Sequence, residues 1–139
     1  MKNILIVGCG LLGSSLLRRI KKKKITNRIF IYEKSSLNIS KIKKLKLPGK
    51  IVKKLEEGVT KSDLIILCTP MSEYKNLILK MNRHLSKKTI ITDIGSSKIE
   101  TSKIIKKFLR KDIAWTQGHP IAGSEVSGPE NGKHNIFEN

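Results

Sequence analysis

Three glycines in six residues, Gly8-Cys9-Gly10-Leu11-Leu12-Gly13, sit between two stretches of different periodicity. Residues 3–7 ahead of them are almost wholly apolar and read as a buried strand. Behind them Leu12, Leu16 and Ile20 recur at four-residue intervals, with Leu17 beside them, and read as one helix face. Lysines 21–24 close that helix with positive charge, which suits its C-terminal dipole. A glycine pattern alone is common. Between a strand and a helix it becomes a dinucleotide fingerprint, because each glycine then has a physical task. Gly8 permits the tight turn, Gly10 keeps side-chain atoms away from a pyrophosphate, and Gly13 lets helix and strand pack closely. The helix start, with Leu11 and Leu12, offers free N–H groups and partial positive charge to phosphates.

The second half of that fingerprint is an acid at the end of the next strand. Residues 28–33 read as that strand, and Glu33 falls about 20 residues after Gly13, where a carboxylate holds the adenosine ribose hydroxyls. A carboxylate repels a 2′-phosphate, so NAD is the expected cofactor. Lys34, Ser35 and Ser36 can accept a phosphate and leave NADP open.

The remaining chain repeats the alternation. Ile39, Ile42 and Leu45 predict a short basic helix stopped by Pro48-Gly49, and Ile51-Val52 a weak third strand. Residues 63–69 are apolar enough for a central parallel strand, and Pro70 ends it. Tyr74, Ile78, Met81 and Leu85 mark a helix with Ser72 as its expected cap. Residues 89–94 are a fifth strand. Ser97-Lys98-Ile99-Glu100 reads as a capping box, opening a helix whose inner face is Ile104, Ile105, Phe108 and Leu109. Residues 113–116 are a sixth strand, and from Gln117 the chain reads as loop. The expected fold is α/β, a Rossmann-type doubly wound parallel sheet, with residues 1–139 as one dinucleotide-binding domain.

Composition narrows the partners. The net charge of +18 invites nucleic acid, but the lysines are spread along the chain and aromatics make up only 4%. No stacking platform is available, so no nucleic-acid partner is expected and the charge reads as solvated surface. No apolar run reaches the length of a membrane span, the apolar N-terminal run is too short for a signal peptide, and a cytoplasmic location follows as the default. The two cysteines, Cys9 and Cys68, read as small buried packers. No metal-ligand pattern is present.

Three later segments bring chemistry to the strand ends. Thr69-Pro70 should line the cofactor cleft. In Asp93-Ile94-Gly95-Ser96-Ser97-Lys98, Ser97 caps the helix, which frees the Ser96 hydroxyl for the cleft; Asp93 reads as a cap for backbone amides. Lys98 falls in a first helical turn, where a cation is disfavoured, so it hints at function no more strongly than chance allows. His119, between Gly118 and Pro120, follows the sixth strand, and an imidazole there suits proton transfer from an alcohol near neutrality. His84 and His134 read as ordinary surface or core residues.

Taken in order, GCGLLG, CTP, DIGSSK and GHPIAGSEVSG resemble the prephenate/arogenate (cyclohexadienyl) dehydrogenase family of tyrosine biosynthesis, over essentially the whole chain. The resemblance implies NAD(P)-dependent oxidation of the ring C4 alcohol of prephenate or arogenate, coupled to decarboxylation. It implies that His119 takes the hydrogen bond of that hydroxyl and that Ser96 bonds the same group. Ser124 and Glu125 match the loop that gates the substrate, and Gly8, Gly10, Gly13 and Glu33 match the cofactor residues. Such proteins continue into a helical dimerisation domain, so the chain is expected to be incomplete at its C-terminal end. A homodimer is expected only where that domain exists, and the chain alone should bind NAD weakly and turn over substrate poorly. Alternatives are a β-hydroxyacid-type dehydrogenase, against which the GHPIAGSE loop argues, and a non-catalytic NAD-binding fragment.

Overall fold

A computed structural model describes residues 3–120 and 122–138; Met1, Lys2, Ile121 of the His119 loop and Asn139 lie outside the described residues. Six parallel strands form one sheet: β1 (Asn3–Val7), β2 (Arg28–Tyr32), β3 (Lys50–Ile51), β4 (Leu64–Leu67), β5 (Ile90–Asp93) and β6 (Ala114–Thr116). Their spatial order is β3-β2-β1-β4-β5-β6, the doubly wound order, with the reversal between β1 and β4. Ile4 to Val7 pair with Ile29 to Tyr32 on one side and with Leu64 to Leu67 on the other.

β1 is apolar throughout because both of its faces are covered. Leu5 and Val7 face a core built with α3 (Leu55–Lys61), α4 (Tyr74–Met81) and α5 (Lys98–Phe108). Ile4 and Ile6 face a second core with α1 (Leu11–Lys22) and α2 (Ser36–Lys44). This two-sided burial explains the continuous apolar runs of the central strands.

Ser97 caps α5 as the sequence suggested, and Ser35 caps α2 without having been read as a cap. The Ser97 hydroxyl accepts the Glu100 N–H, and the Ser35 hydroxyl caps α2 by accepting the Asn38 N–H. The Glu100 carboxylate lies 3.9 Å from Lys103 Nζ along its own helix.

Four readings change. Ser72 does not cap α4: a 3-10 turn, Met71–Glu73, intervenes after Pro70, and no side chain caps the helix. Residues 55–61, read as unassigned, form α3, which presses Gly58 and Val59 onto the sheet. In α1 the buried face is Gly13, Leu17 and Ile20, whereas Leu12 is only half-buried and borders a cavity. Leu45 follows α2 as its C-cap and is exposed, which leaves Ile42 as the buried residue of that helix. The strands stop short of several predicted ends, but single hydrogen bonds prolong the ladder: Cys68 N–H donates to Val7 O, and Ile94 N–H to Leu67 O.

Candidate functional site

The reversal between β1 and β4 opens a crevice at the carboxyl ends of the strands, where the glycine turn leaves β1 and Thr69-Pro70 leaves β4. Gly8 has φ +89°, and a Cβ there would lie 2.7 Å from Thr69 Cγ2. A Cβ on Gly13 would lie 2.2 Å from the Gly8 carbonyl oxygen, so α1 can pack this close only without one. A Cβ on Gly10 would meet nothing within 4 Å. That open space stands directly in front of the α1 N-terminus, which is where a pyrophosphate fits.

Glu33 follows β2 and turns back under the glycine turn. Its carboxylate accepts the Cys9 N–H at 2.8 Å and the Ser35 N–H at 2.9 Å. The acid and the turn are therefore one hydrogen-bonded unit. Together with Gly8, Tyr32, Lys34, Ser35, Thr69, Pro70, Glu73 and Leu77, Glu33 lines a cavity of about 400 Å³. Lys34 Nζ and Glu73 Oε2 form an ion pair at 2.9 Å across it.

A second cavity of about 450 Å³ shares Thr69 and Pro70 with the first, and adds Leu11, Leu12, Ser96, His119 and Ser124. The two cavities adjoin at Thr69 and Pro70 and form one trough at the carboxyl ends of the strands. The Thr69 hydroxyl oxygen is buried at their junction without a hydrogen-bond partner, so it is available to a bound ribose or phosphate. Among the described residues no Lys or Arg lines the second cavity.

Two loops form the far wall of that second cavity. Asp93 is 1% exposed at the end of β5, and its carboxylate accepts the Gly95 N–H at 2.9 Å. The Tyr74 hydroxyl, from α4, donates to the same oxygen at 3.4 Å. These contacts shape the turn that presents Ser96. Gly118 approaches so closely that a Cβ would lie 2.3 Å from the Asp93 carbonyl oxygen. Gln117 Nε2 donates to the Lys98 carbonyl at 2.7 Å and ties the Ser96 and His119 loops together.

Of the residues singled out from sequence, Ser96, His119, Ser124, Leu11, Leu12, Thr69 and Pro70 meet at one cavity, and Gly8 and Glu33 at the other. Glu125 is exposed and lies outside both linings, and Lys98 is exposed with only its carbonyl engaged. The sequence reading missed Tyr74, Gln117 and Met71 as site residues. Gln117 directly precedes Gly118-His119, but nothing in its local pattern reveals a partner 19 positions away.

Burial dominates the thiols. The Cys9 thiol is pushed up to about 12, first by burial and then by the Glu33 carboxylate. Cys68 is likewise pushed up by burial. Both are free, buried or half-buried, and fit the packing role read from sequence.

The family profile described as "Prephenate dehydrogenase, nucleotide-binding domain" matches residues 16–139. The chain belongs to the prephenate dehydrogenase family. The domain is 31% identical over 137 residues to a cyclohexadienyl dehydrogenase of Zymomonas mobilis, covering 99% of this chain and 46% of that one. It is 33% identical over 141 residues to a prephenate dehydrogenase of Lactococcus lactis, covering 100% of this chain and 39% of that one. The crystal structure of Aquifex aeolicus prephenate dehydrogenase with hydroxyphenyl propionate and NAD+ superposes with a TM-score of 0.82 at 28% identity, over 100% of this chain and 48% of that one. Synechocystis arogenate dehydrogenase shares the fold, with a TM-score of 0.81 at 24% identity over 98% of this chain and 46% of that one. The prephenate dehydrogenase family domain thus spans less than half the length of these relatives. Among the described residues no helix is long and apolar enough to cross a membrane.

Proposed function

We propose that the chain is the NAD-binding part of an enzyme that oxidises and decarboxylates prephenate or arogenate. The observation that carries this reading is that Ser96 and His119, on the loops after β5 and β6, line the same cavity as Thr69 and the start of α1. In this reading Glu33 takes the adenosine ribose hydroxyls, and Gly10 with the N–H groups of Leu11 and Leu12 takes the pyrophosphate. Thr69 and Pro70 flank the nicotinamide ribose. Bound NAD would supply the hydride acceptor. Ser96 orients the substrate C4 hydroxyl, His119 withdraws its proton, and the Ser124-Glu125 loop closes over the ring. Loss of the carboxylate as carbon dioxide leaves an aromatic product, so placing the hydroxyl matters more than strong acid–base chemistry.

The test is NADH formation from prephenate and from arogenate by the protein purified from its own cells. Turnover of one of the two is the expected result. His119→Asn should cost about three orders of magnitude in rate, within the range for general-base loss, with NAD affinity nearly unchanged. An unaltered rate removes His119 from the chemistry.

A second reading is favoured by the second cavity's lining, in which the described residues offer no Lys or Arg to the carboxylates of prephenate. The 139-residue chain by itself would then bind NAD without turnover. Robust prephenate-dependent NADH formation by that chain alone contradicts this second reading.

A further inference from the structure

We infer that Glu73 is a specificity-determining residue, which holds Lys34 across the adenosine cavity and away from the ribose 2′ position, so that NAD is preferred to NADP. The inference rests on the dinucleotide reading above. Lys34 and Glu73 stand on opposite walls: Lys34 follows Glu33 at the exit of β2, and Glu73 ends the 3-10 turn after Pro70. Their side chains meet at 2.9 Å. Lys34 is the only cation among the described residues lining this cavity; Glu33 and Glu73 are its anions.

The two carboxylates act differently. Glu33 is pinned by the N–H groups of Cys9 and Ser35 and repels a 2′-phosphate directly. Glu73 instead pairs with Lys34, and acts by occupying the one ammonium among the described residues lining the cavity. The Glu73 carboxylate, by hydrogen bond and charge, also holds the Lys34 ammonium above its ordinary range. Lys34 is 59% exposed at its side chain, and a lysine freed there reaches a phosphate as a mobile point charge. The selection is therefore made on both walls of the cavity, and only one wall carries the fingerprint acid.

The test is calorimetric titration of NAD and NADP into the 139-residue chain, its Glu73→Gln and Lys34→Met variants, and the double variant, at one low ionic strength. Glu73→Gln should tighten NADP about tenfold, the order of one exposed ammonium–phosphate contact, and change NAD by less than about twofold. The gain should vanish in the double variant and shrink with added salt. A structural role for Glu73 would instead move both cofactors together. An unchanged NADP-to-NAD ratio in Glu73→Gln, or a gain that survives loss of Lys34, overturns the inference. If the unaltered chain binds NAD but the ratio does not move, this inference alone fails. If the unaltered chain binds neither dinucleotide, the cofactor reading fails and takes the inference with it.

Discussion

The Cys9 N–H donates to the Glu33 carboxylate at 2.8 Å, which joins the glycine turn after β1 to the acid after β2. The two halves of the fingerprint, 24 positions apart in the chain, therefore hold each other in place. Glu33→Ala removes the acceptor of both the Cys9 and Ser35 N–H groups. Each hydrogen bond to a charged group contributes roughly 1.5–3 kcal/mol net of its exchange with water. NAD affinity should fall at least tenfold and the melting temperature should drop, as read by titration and thermal unfolding. Full retention of both would show that the ribose is held elsewhere.

Gly10 and Gly13 should separate binding from folding. Gly13→Ala drives a Cβ to 2.2 Å from a backbone oxygen, so α1 must lift from β1. A cost of about 2–4 kcal/mol is expected, in line with overpacking, together with loss of NAD binding. Gly10→Ala points its methyl into open space and should leave the melting temperature almost unchanged while weakening NAD. Equal thermal effects in the two variants would contradict these assignments.

Alkaline pH should destabilise the domain more steeply than its surface charge explains. The Cys9 thiol sits at 9.0 in the unfolded chain and at about 12 in the folded one, while Tyr74 is raised by burial and by Asp93. Between these values the unfolded chain has released a proton that the folded chain retains. The folded state then binds more protons, and stability falls as pH rises from 9 toward 12. Urea unfolding at about pH 8 and about pH 10.5 reads this slope. Cys9→Ala should have a shallower slope whatever its absolute stability, and an identical slope contradicts the burial argument.

Gly58→Val tests the packing of α3. Its Cβ would lie 2.6 Å from Leu5 Cδ1, and Leu5 is fully buried at the centre of the sheet. A loss of about 1–3 kcal/mol is expected by thermal or urea unfolding, with little direct effect on NAD contacts. A neutral result would mean that α3 rides loosely on the sheet.

The sequence was legible where a signal is local. The β1 residues, the glycine turn and Glu33 lie within one β-α-β unit, and their spacing is dictated by the unit itself. Ser97 also showed its role, because a cap needs only the next three residues. α3 was illegible because Leu55 and Val59 are its only large apolar residues, Gly58 interrupts them, and its helical state is imposed by contact with Leu5. Ser72 misled because Pro70 admits a 3-10 turn as readily as a capped helix start. The Asp93–Tyr74 contact and the Gln117–Lys98 bridge depend on elements meeting in space, and no periodicity records that. Ser96 and His119 could be named from motifs, but their sharing of one cavity became visible only when β5 and β6 were seen as neighbours.

The central claim is that the trough between Glu33 and His119 takes a nicotinamide dinucleotide. Its most direct measurement is NAD titration of the 139-residue chain by calorimetry, beside the Gly10→Ala variant. One saturable site, weakened at least tenfold by Gly10→Ala while the fold is retained, is the predicted result. No saturable binding, or binding that Gly10→Ala leaves untouched, would contradict the account.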